Sequence, residues 1–226
     1  WNEFIKKLEK FKDLKDILLK KALQDGKSFY KLTIKVKKEL VAYNVPKNSY
    51  NMQKTGKHLT AEQYNKALDS PETLIVDMRN YYESEIGRFK GAITPNVETS
   101  KDLLPKVKNL LEGKEEKKIL LYCTGGIRCE KASSFLMQNG FKNVNQLQGG
   151  IIQYVHEVKE KGLESKFIGK NFVFDERLGE RVTEDIISFC HICKSPCDNH
   201  TDCKNDACHI LFIQCNKCSK ILKGCC

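Results

Sequence analysis

Two groups of residues in this chain have the types and spacing to do chemistry. The first is Leu120-Leu121-Tyr122-Cys123-Thr124-Gly125-Gly126-Ile127-Arg128-Cys129. An apolar run of strand character delivers a cysteine at its end, small residues follow, and a helix begins. Ligand sites in parallel sheets lie at this carboxyl edge of the strands. Gly125 and Gly126 let successive N–H groups turn inward and form an anion-binding nest. A helix starting near Arg128 adds the positive end of its dipole, and Arg128 adds a full charge. Each of these favours thiolate over thiol. Cys123 is therefore expected to be an activated nucleophile with Arg128 as its charged partner. Thr124, Gly125, Gly126 and Ile127 would form the cradle, which suits a cysteine persulfide equally well. Cys129 is a candidate resolving thiol or a packing residue at the helix start.

Arg128 stands five positions after Cys123. That loop is one residue shorter than the phosphate-wrapping loop of cysteine-dependent phosphatases, so a sulfur atom fits it better than a phosphoryl group.

The second group is the tail, where nine of the eleven cysteines lie between Cys190 and Cys226. Cys190 and Cys193, and Cys215 and Cys218, form two Cys-x-x-Cys knuckles with 21 residues between them. Paired zinc knuckles are usually separated by about 15–20 residues. Cys190, Cys193, Cys215 and Cys218 are expected to form one tetrahedral, structural zinc site. Cys197, Cys203 and Cys208 or His209 would supply a second. His191 and His200, also among the cysteines, are further ligand candidates. So small a segment has little core, and metal would stabilise it. The alternatives are disulfides, free thiols that resolve the Cys123 persulfide, or an iron–sulfur cluster.

Composition narrows the setting. A chain that is 40% hydrophobic and 30% charged is that of a soluble globular protein. No run approaches the roughly 18 apolar residues of a membrane span, and no signal peptide is visible. Cysteines confined to one end of such a chain argue for a reducing cytoplasm. Of the formal charge of +10, residues 1–50 supply +7, from 13 Lys against 6 acidic residues. A basic portion beside a near-neutral remainder suits a polyanion such as RNA, although a Lys-rich codon bias gives the same excess. A start at Trp1 is expected of a fragment. Nothing in the sequence speaks to oligomeric state.

The elements that position these groups follow from periodicity. Phe4, Ile5, Leu8, Phe11, Leu14, Leu18 and Leu19 recur at helical spacing, predicting a helix over 1–23. Asp25-Gly26-Lys27 reads as a turn, and the alternation from Phe29 to Val41 predicts a strand with one wet face. Residues 1–45 thus resemble part of a small α+β domain, and 46–58 read as a linker. From 59 to 162 strands and helices alternate. Thr60 and Gln63 form a capping box for a helix to Leu68. Strands are predicted at Leu74–Asp77, Lys118–Tyr122 and Val144–Leu147, and helices at Cys129–Asn139 and Ile151–Lys161. This rhythm implies a parallel sheet covered by helices. Phe172–Phe174 reads as a further short strand within 163–226.

The Cys123 loop resembles the active-site loop of rhodanese domains. Ile75-Val76-Asp77-Met78-Arg79, Tyr82-Glu83, Gly87, Lys90-Gly91-Ala92-Ile93, Gly140-Phe141 and Gly149-Gly150-Ile151 are similar to other segments of that family. Asp77 and Arg79 read as a pair that locks a turn. Cys123 to Ala132, Phe167 to Arg181 and the tail Cys190 to Cys226 together resemble the oxygen-dependent tRNA uridine hydroxylases. The resemblance implies a rhodanese-like parallel sheet with flanking helices, preceded by a partial ferredoxin-like α+β domain and followed by a small Cys-rich extension. It implies tRNA as substrate, molecular oxygen as co-substrate, and conversion of the wobble uridine to 5-hydroxyuridine with Cys123 essential. It names no electron donor. The first strand and helix of the ferredoxin-like domain have no counterpart here. The Cys123 loop alone implies a simpler activity, a sulfurtransferase carrying persulfide on Cys123. A non-catalytic RNA-binding module is the third reading, and an intact nucleophile loop argues against it.

Overall fold

A computed structural model of the chain describes all residues except 16, 18, 25–28, 30 and 32. In chain order the helices and strands are α1 (Asn2–Leu8), β1 (Lys57–Leu59), α2 (Ala61–Leu68), β2 (Thr73–Asp77), α3 (Tyr81–Glu85), β3 (Gly87–Phe89), α4 (Leu103–Leu110), β4 (Lys118–Tyr122), α5 (Ile127–Gln138), β5 (Asn143–Leu147), α6 (Gly150–Lys161), β6 (Phe167–Asn171), β7 (Glu180–Arg181), β8 (His200–Asp202), β9 (Leu211–Ile213) and α7 (Asn216–Ile221). The central sheet is parallel, with strand order β1-β5-β4-β2.

β4 is the middle of this sheet and reads Lys-Ile-Leu-Leu-Tyr because both of its faces are covered. Ile119 and Leu121 join a core with Val76, Leu104, Leu136 and Val144. Leu120 and Tyr122 point the other way, into a core with Tyr64, Phe89, Tyr154 and Phe167. This is the two-residue period of a strand. Cys123 comes next in the alternation and lies with the first core. The capping box on α2 forms as expected, with Thr60 Oγ1 accepting from the Gln63 N–H and Gln63 reaching back to the Thr60 N–H. Gly162, at φ 62°, ends α6.

Several expectations need correction. The helix predicted over 1–23 stops at Leu8, with a short 3-10 turn at Lys12–Leu14. Phe4, Phe11 and Leu14 are exposed, so among the described residues the apolar stripe on which a helix of this length depends is not fully buried. Among the described residues of 29–41 there is no strand. Ile34 and Val36 are exposed, and an alternating run without a neighbour to pair with is not stable as a strand. The Asp25-Gly26-Lys27 turn lies outside the described residues. The expected linker gives up its last two residues to β1, which pairs with β5 from Lys57 to Leu59. The strand read at Phe172–Phe174 lies instead at Phe167–Asn171. It pairs antiparallel with β3 and β7, while Phe172 turns into a core with Cys190, Cys197 and Ile213. That core belongs to the Cys-rich module, whose own sheet is the β8–β9 hairpin.

Candidate functional site

β2 and β4 run in register from Thr73↔Lys118 to Asp77↔Tyr122, so both chains leave the sheet side by side. Asp77 and Arg79 are fully buried there. Arg79 donates from Nε and Nη2 to the two Asp77 oxygens at 2.8 and 2.7 Å, and from Nη2 to the Gly87 carbonyl at 2.7 Å. The Tyr122 hydroxyl donates to Asp77 Oδ2 at 2.6 Å. The Arg79 guanidinium also lies 5.5 Å from the Tyr122 ring centroid and 5.7 Å from that of Phe167. This pair therefore fixes the end of β2, the entry to β3 and the residue immediately before Cys123.

The loop after Tyr122 is held from behind. The first N–H groups of α6 donate to it: Ile151 to the Cys123 carbonyl at 3.0 Å and Ile152 to the Thr124 carbonyl at 3.2 Å. With the carbonyls tied outward, the peptide N–H groups face the sulfur, and Gly126 N–H lies 3.1 Å from Cys123 Sγ. Gly126 sits at φ 87°, a left-handed conformation that favours glycine. A Cβ on Gly150 would come within 2.6 Å of both the Cys123 carbonyl oxygen and the Gly126 nitrogen. That close approach is why α6 begins with a glycine. The Lys20 ammonium reaches the Gly125 carbonyl from the N-terminal segment.

Arg128 stands beside the thiol as expected, but its charge is not free. Glu83, fully buried on α3, accepts from both guanidinium nitrogens at 2.6 and 2.7 Å. Arg128 Nη2 also donates to Thr124 Oγ1 at 3.2 Å, and the Tyr43 hydroxyl donates to the Arg128 carbonyl at 3.2 Å. Glu83 is the site residue missed as such in the sequence. Its role in the α3 capping box, accepting the Asn80 N–H at 3.0 Å, was the available signal. Burial pushes the Cys123 thiol up. The Cys129 thiol, the Arg128 charge and the Cys129 and Arg128 N–H groups overcome it and hold the Cys123 pKa at about 6. Cys129, buried against it, is pushed the other way, first by burial and then by its hydrogen bond to Cys123. One thiolate beside one neutral thiol is the charge state this packing favours.

The sulfur opens onto a cavity of about 520 Å³ whose walls include Leu40, Ser100, Ile127, Arg128 and Phe174. This is the volume of a small-molecule site. Because the pKa is depressed, Cys123 is mostly thiolate at neutral pH and loses that form as pH falls through about 6. Alkylation of the full chain by iodoacetamide, followed at Cys123 by peptide mass spectrometry, is expected to rise with a midpoint near pH 6. A midpoint at the ordinary cysteine value would show that the loop does not activate the thiol.

In the tail, the Sγ atoms of Cys190, Cys193, Cys215 and Cys218 lie within 4.8 Å of one another, and all eleven cysteines are free thiols. Cys193 and Cys215 Sγ are 3.6 Å apart. Tetrahedral bonds of about 2.3 Å to zinc put sulfurs roughly 3.8 Å apart. Cys190 Sγ accepts the Cys215 N–H at 3.3 Å. The donor set and its spacing thus fit a thiolate-bound metal. His191 is not part of it, since its Nε2 pairs with Glu85 at 2.7 Å. His200 stacks edge-on against Phe172, and burial lowers its pKa to about 4. Cys203 and Cys208, expected to share a second group with Cys197 or His209, lie instead within 4.8 Å of Cys226, and Cys197 and His209 stand outside both groups.

Comparison with known proteins places these features in context. Residues 60–157 match the family model of the rhodanese-like domain, and residues 168–226 match that of the rhodanase C-terminal region. A tRNA uridine(34) hydroxylase of Leptospira interrogans is 51% identical over 224 residues, covering 99% of this chain and 61% of that protein. One of Yersinia pestis is 52% identical over 202 residues, covering 89% of this chain and 57% of that protein. The chain thus spans about three fifths of the length of these curated relatives. Among solved structures, the Alr3790 protein of Anabaena sp. is 25% identical with a TM-score of 0.39, covering 49% of this chain and 91% of that one. No described helix is long and apolar enough to cross a membrane.

Proposed function

We propose, from the similarity of this chain to the tRNA uridine(34) hydroxylases over the stretch that it spans, that the whole protein hydroxylates the wobble uridine of tRNA to 5-hydroxyuridine in the cytoplasm. Cys123 is the essential active-site cysteine. Arg128 is its charged neighbour, and Thr124, Gly125, Gly126 and Ile127 form the anion cradle. The observation that carries this reading is a thiolate held near a pKa of 6 at the wall of an open cavity large enough for one nucleotide. Enzymes that act on a base take it out of the stack and into such a pocket.

Phe174 supplies the apolar wall. It is 58% exposed and edge-packed on Phe172, and the Arg128 guanidinium lies 6.0 Å from its ring centroid. An exposed aromatic face is the usual platform for an unstacked base. The lysine excess of the N-terminal residues, read from the sequence as part of a ferredoxin-like unit, supplies positive charge for the tRNA backbone, so binding weakens as salt rises. Cys190, Cys193, Cys215 and Cys218 hold one structural zinc that braces the module behind Phe172. Molecular oxygen provides the oxygen atom at C5 of the base. Its second atom leaves as water, which requires two electrons from a reductant supplied in the cell. Cys129 is the candidate resolving thiol for an oxidised or persulfidated Cys123.

The test is genetic and chemical. Cells with the alternative route to 5-hydroxyuridine disabled are grown with and without air, with and without this gene. Nucleoside mass spectrometry of their tRNA is expected to find the product only when gene and air are both present. Product that ignores gene and oxygen, together with rapid sulfur transfer from the purified protein to a thiol, would replace this reading with a sulfurtransferase.

A further inference from the structure

A second cluster of thiols, unconnected with the Cys123 pocket, is assembled at the far end of the tail. Cys203, Cys208 and Cys226 Sγ lie within 4.8 Å of one another. The main chain brings them together without help from the sulfurs. Cys203 follows β8, and its N–H closes the hairpin on the Ile210 carbonyl at 2.9 Å. The chain then turns back at once. The Asn205 side chain accepts the Ala207 N–H at 3.0 Å, and the Asn205 carbonyl accepts the Cys208 N–H at 2.8 Å. Cys208 is thereby returned to the side of Cys203.

The third thiol arrives from the other end of the module. After α7 the chain reverses at Gly224, whose N–H bonds the Ser219 carbonyl at 3.0 Å at φ 80°. The Gly224 carbonyl accepts the Lys204 N–H at 3.1 Å, and Gln214 Nε2 donates to the Cys225 carbonyl at 2.8 Å. These bonds dock the segment that carries Cys226 against the loop that carries Cys203. Each of the three cysteines is thus placed by backbone bonds on a separate turn.

From this we infer that Cys203, Cys208 and Cys226 form a second thiolate metal site, distinct from the four-cysteine site, with the chemistry of a soft divalent ion such as zinc. Cys208 and Cys226 Sγ are 3.7 Å apart, matching the roughly 3.8 Å edge of a tetrahedral thiolate site and well beyond the about 2.05 Å of a disulfide. Three thiols also cannot pair off as disulfides among themselves. Binding of the ion releases the three thiol protons to solvent. These three thiolates are the ligands that the described residues supply. Cys203 is buried while Cys208 and Cys226 are exposed, so the ion faces solvent on one side.

This assignment stands apart from the hydroxylase reading and is tested without activity. Full chain expressed with added zinc, kept reduced and desalted, is analysed for metal per chain. The wild type is expected to hold about two zinc ions, and Cys208→Ser and Cys226→Ser about one each. Both positions are exposed, so these variants should fold, and circular dichroism checks that they do. Cys193→Ser removes a ligand of the other site and is expected to leave the second ion in place. Loss of that ion alone in Cys208→Ser, with its retention in Cys193→Ser, supports this site whatever the four-cysteine site does. Cobalt(II) loaded in place of zinc gives an independent readout, with thiolate charge-transfer absorption that falls in Cys208→Ser. A wild type with one or no zinc, and a Cys208→Ser chain with an unchanged zinc content, overturns the proposal. So does a Cys208–Cys226 crosslink that lowers the mass of the reduced-purified chain by two hydrogens.

Discussion

Cys123→Ser is expected to abolish 5-hydroxyuridine formation in cells while leaving the protein folded. The side chain sits at the end of the middle strand, 2% exposed, with an N–H aimed at its sulfur. Oxygen replaces sulfur there with nearly the same shape and can accept the same hydrogen bond, so stability should change by no more than about 1 kcal/mol. The chemistry changes far more. The loop lowers a thiol to a pKa of about 6, whereas the same donors leave an alcohol almost wholly protonated and unable to carry sulfur. A loss of at least roughly 1,000-fold is expected, equivalent to about 4 kcal/mol of barrier. Complementation of the deletion strain and tRNA nucleoside analysis measure it, with the thermal midpoint of the purified variant as the control. A well-folded serine variant that restores normal 5-hydroxyuridine would remove Cys123 from the reaction.

The largest expected loss of stability comes from the Asp77–Arg79 pair. Both side chains are 0% exposed. Asp77→Asn leaves a guanidinium buried among Tyr122, Phe167 and the Gly87 carbonyl with no counter-charge. Breaking a buried pair from one side costs about 3–5 kcal/mol. Domains of this kind have only about 5–15 kcal/mol in total. For a chain of this length the midpoint should fall by roughly 6–20 °C. Arg79→Met breaks the same pair from the other side and leaves the Asp77 carboxylate buried with the Tyr122 hydroxyl at 2.6 Å but no counter-charge, so a loss of the same order is expected. Thermal melts of both variants beside the wild type measure these losses. Equal midpoints for Asp77→Asn and wild type would mean that the pair does not hold the fold.

The central sheet and the Cys123 loop were legible because their signals are local. A short apolar run, two glycines and a helix start follow one another closely, and the observed β4 coincides with the predicted Lys118–Tyr122. What the sequence concealed is tertiary. Glu83 lies 45 positions before Arg128, and no periodicity links a short helix to the loop it neutralises. The same holds for the antiparallel β3–β6 pairing, in which a three-residue strand finds a partner some eighty positions on. In the tail, the Cys-x-x-Cys spacing picked out four thiols that the structure brings within 4.8 Å of one another, because each knuckle is a single turn. The second cluster takes its third thiol from Cys226 rather than Cys197 or His209, and only the reversal after α7 decides that. Phe4, Phe11, Leu14, Ile34 and Val36 carry helix or strand periodicity yet are exposed, so pattern alone misled among the described residues there.

The tether between the start of α6 and the Cys123 and Thr124 carbonyls also sets when the loop becomes ordered. A segment that orders only on meeting its substrate loses about 1–2 kcal/mol of backbone freedom per residue at that moment. Here the same entropy is lost once, during folding, because Ile151 and Ile152 hold the loop through the resting state. Docking of a nucleotide then meets a cradle already in shape. On the proposed hydroxylase reading, ordering of this loop then adds no closure step of the microsecond-to-millisecond kind found in many enzymes.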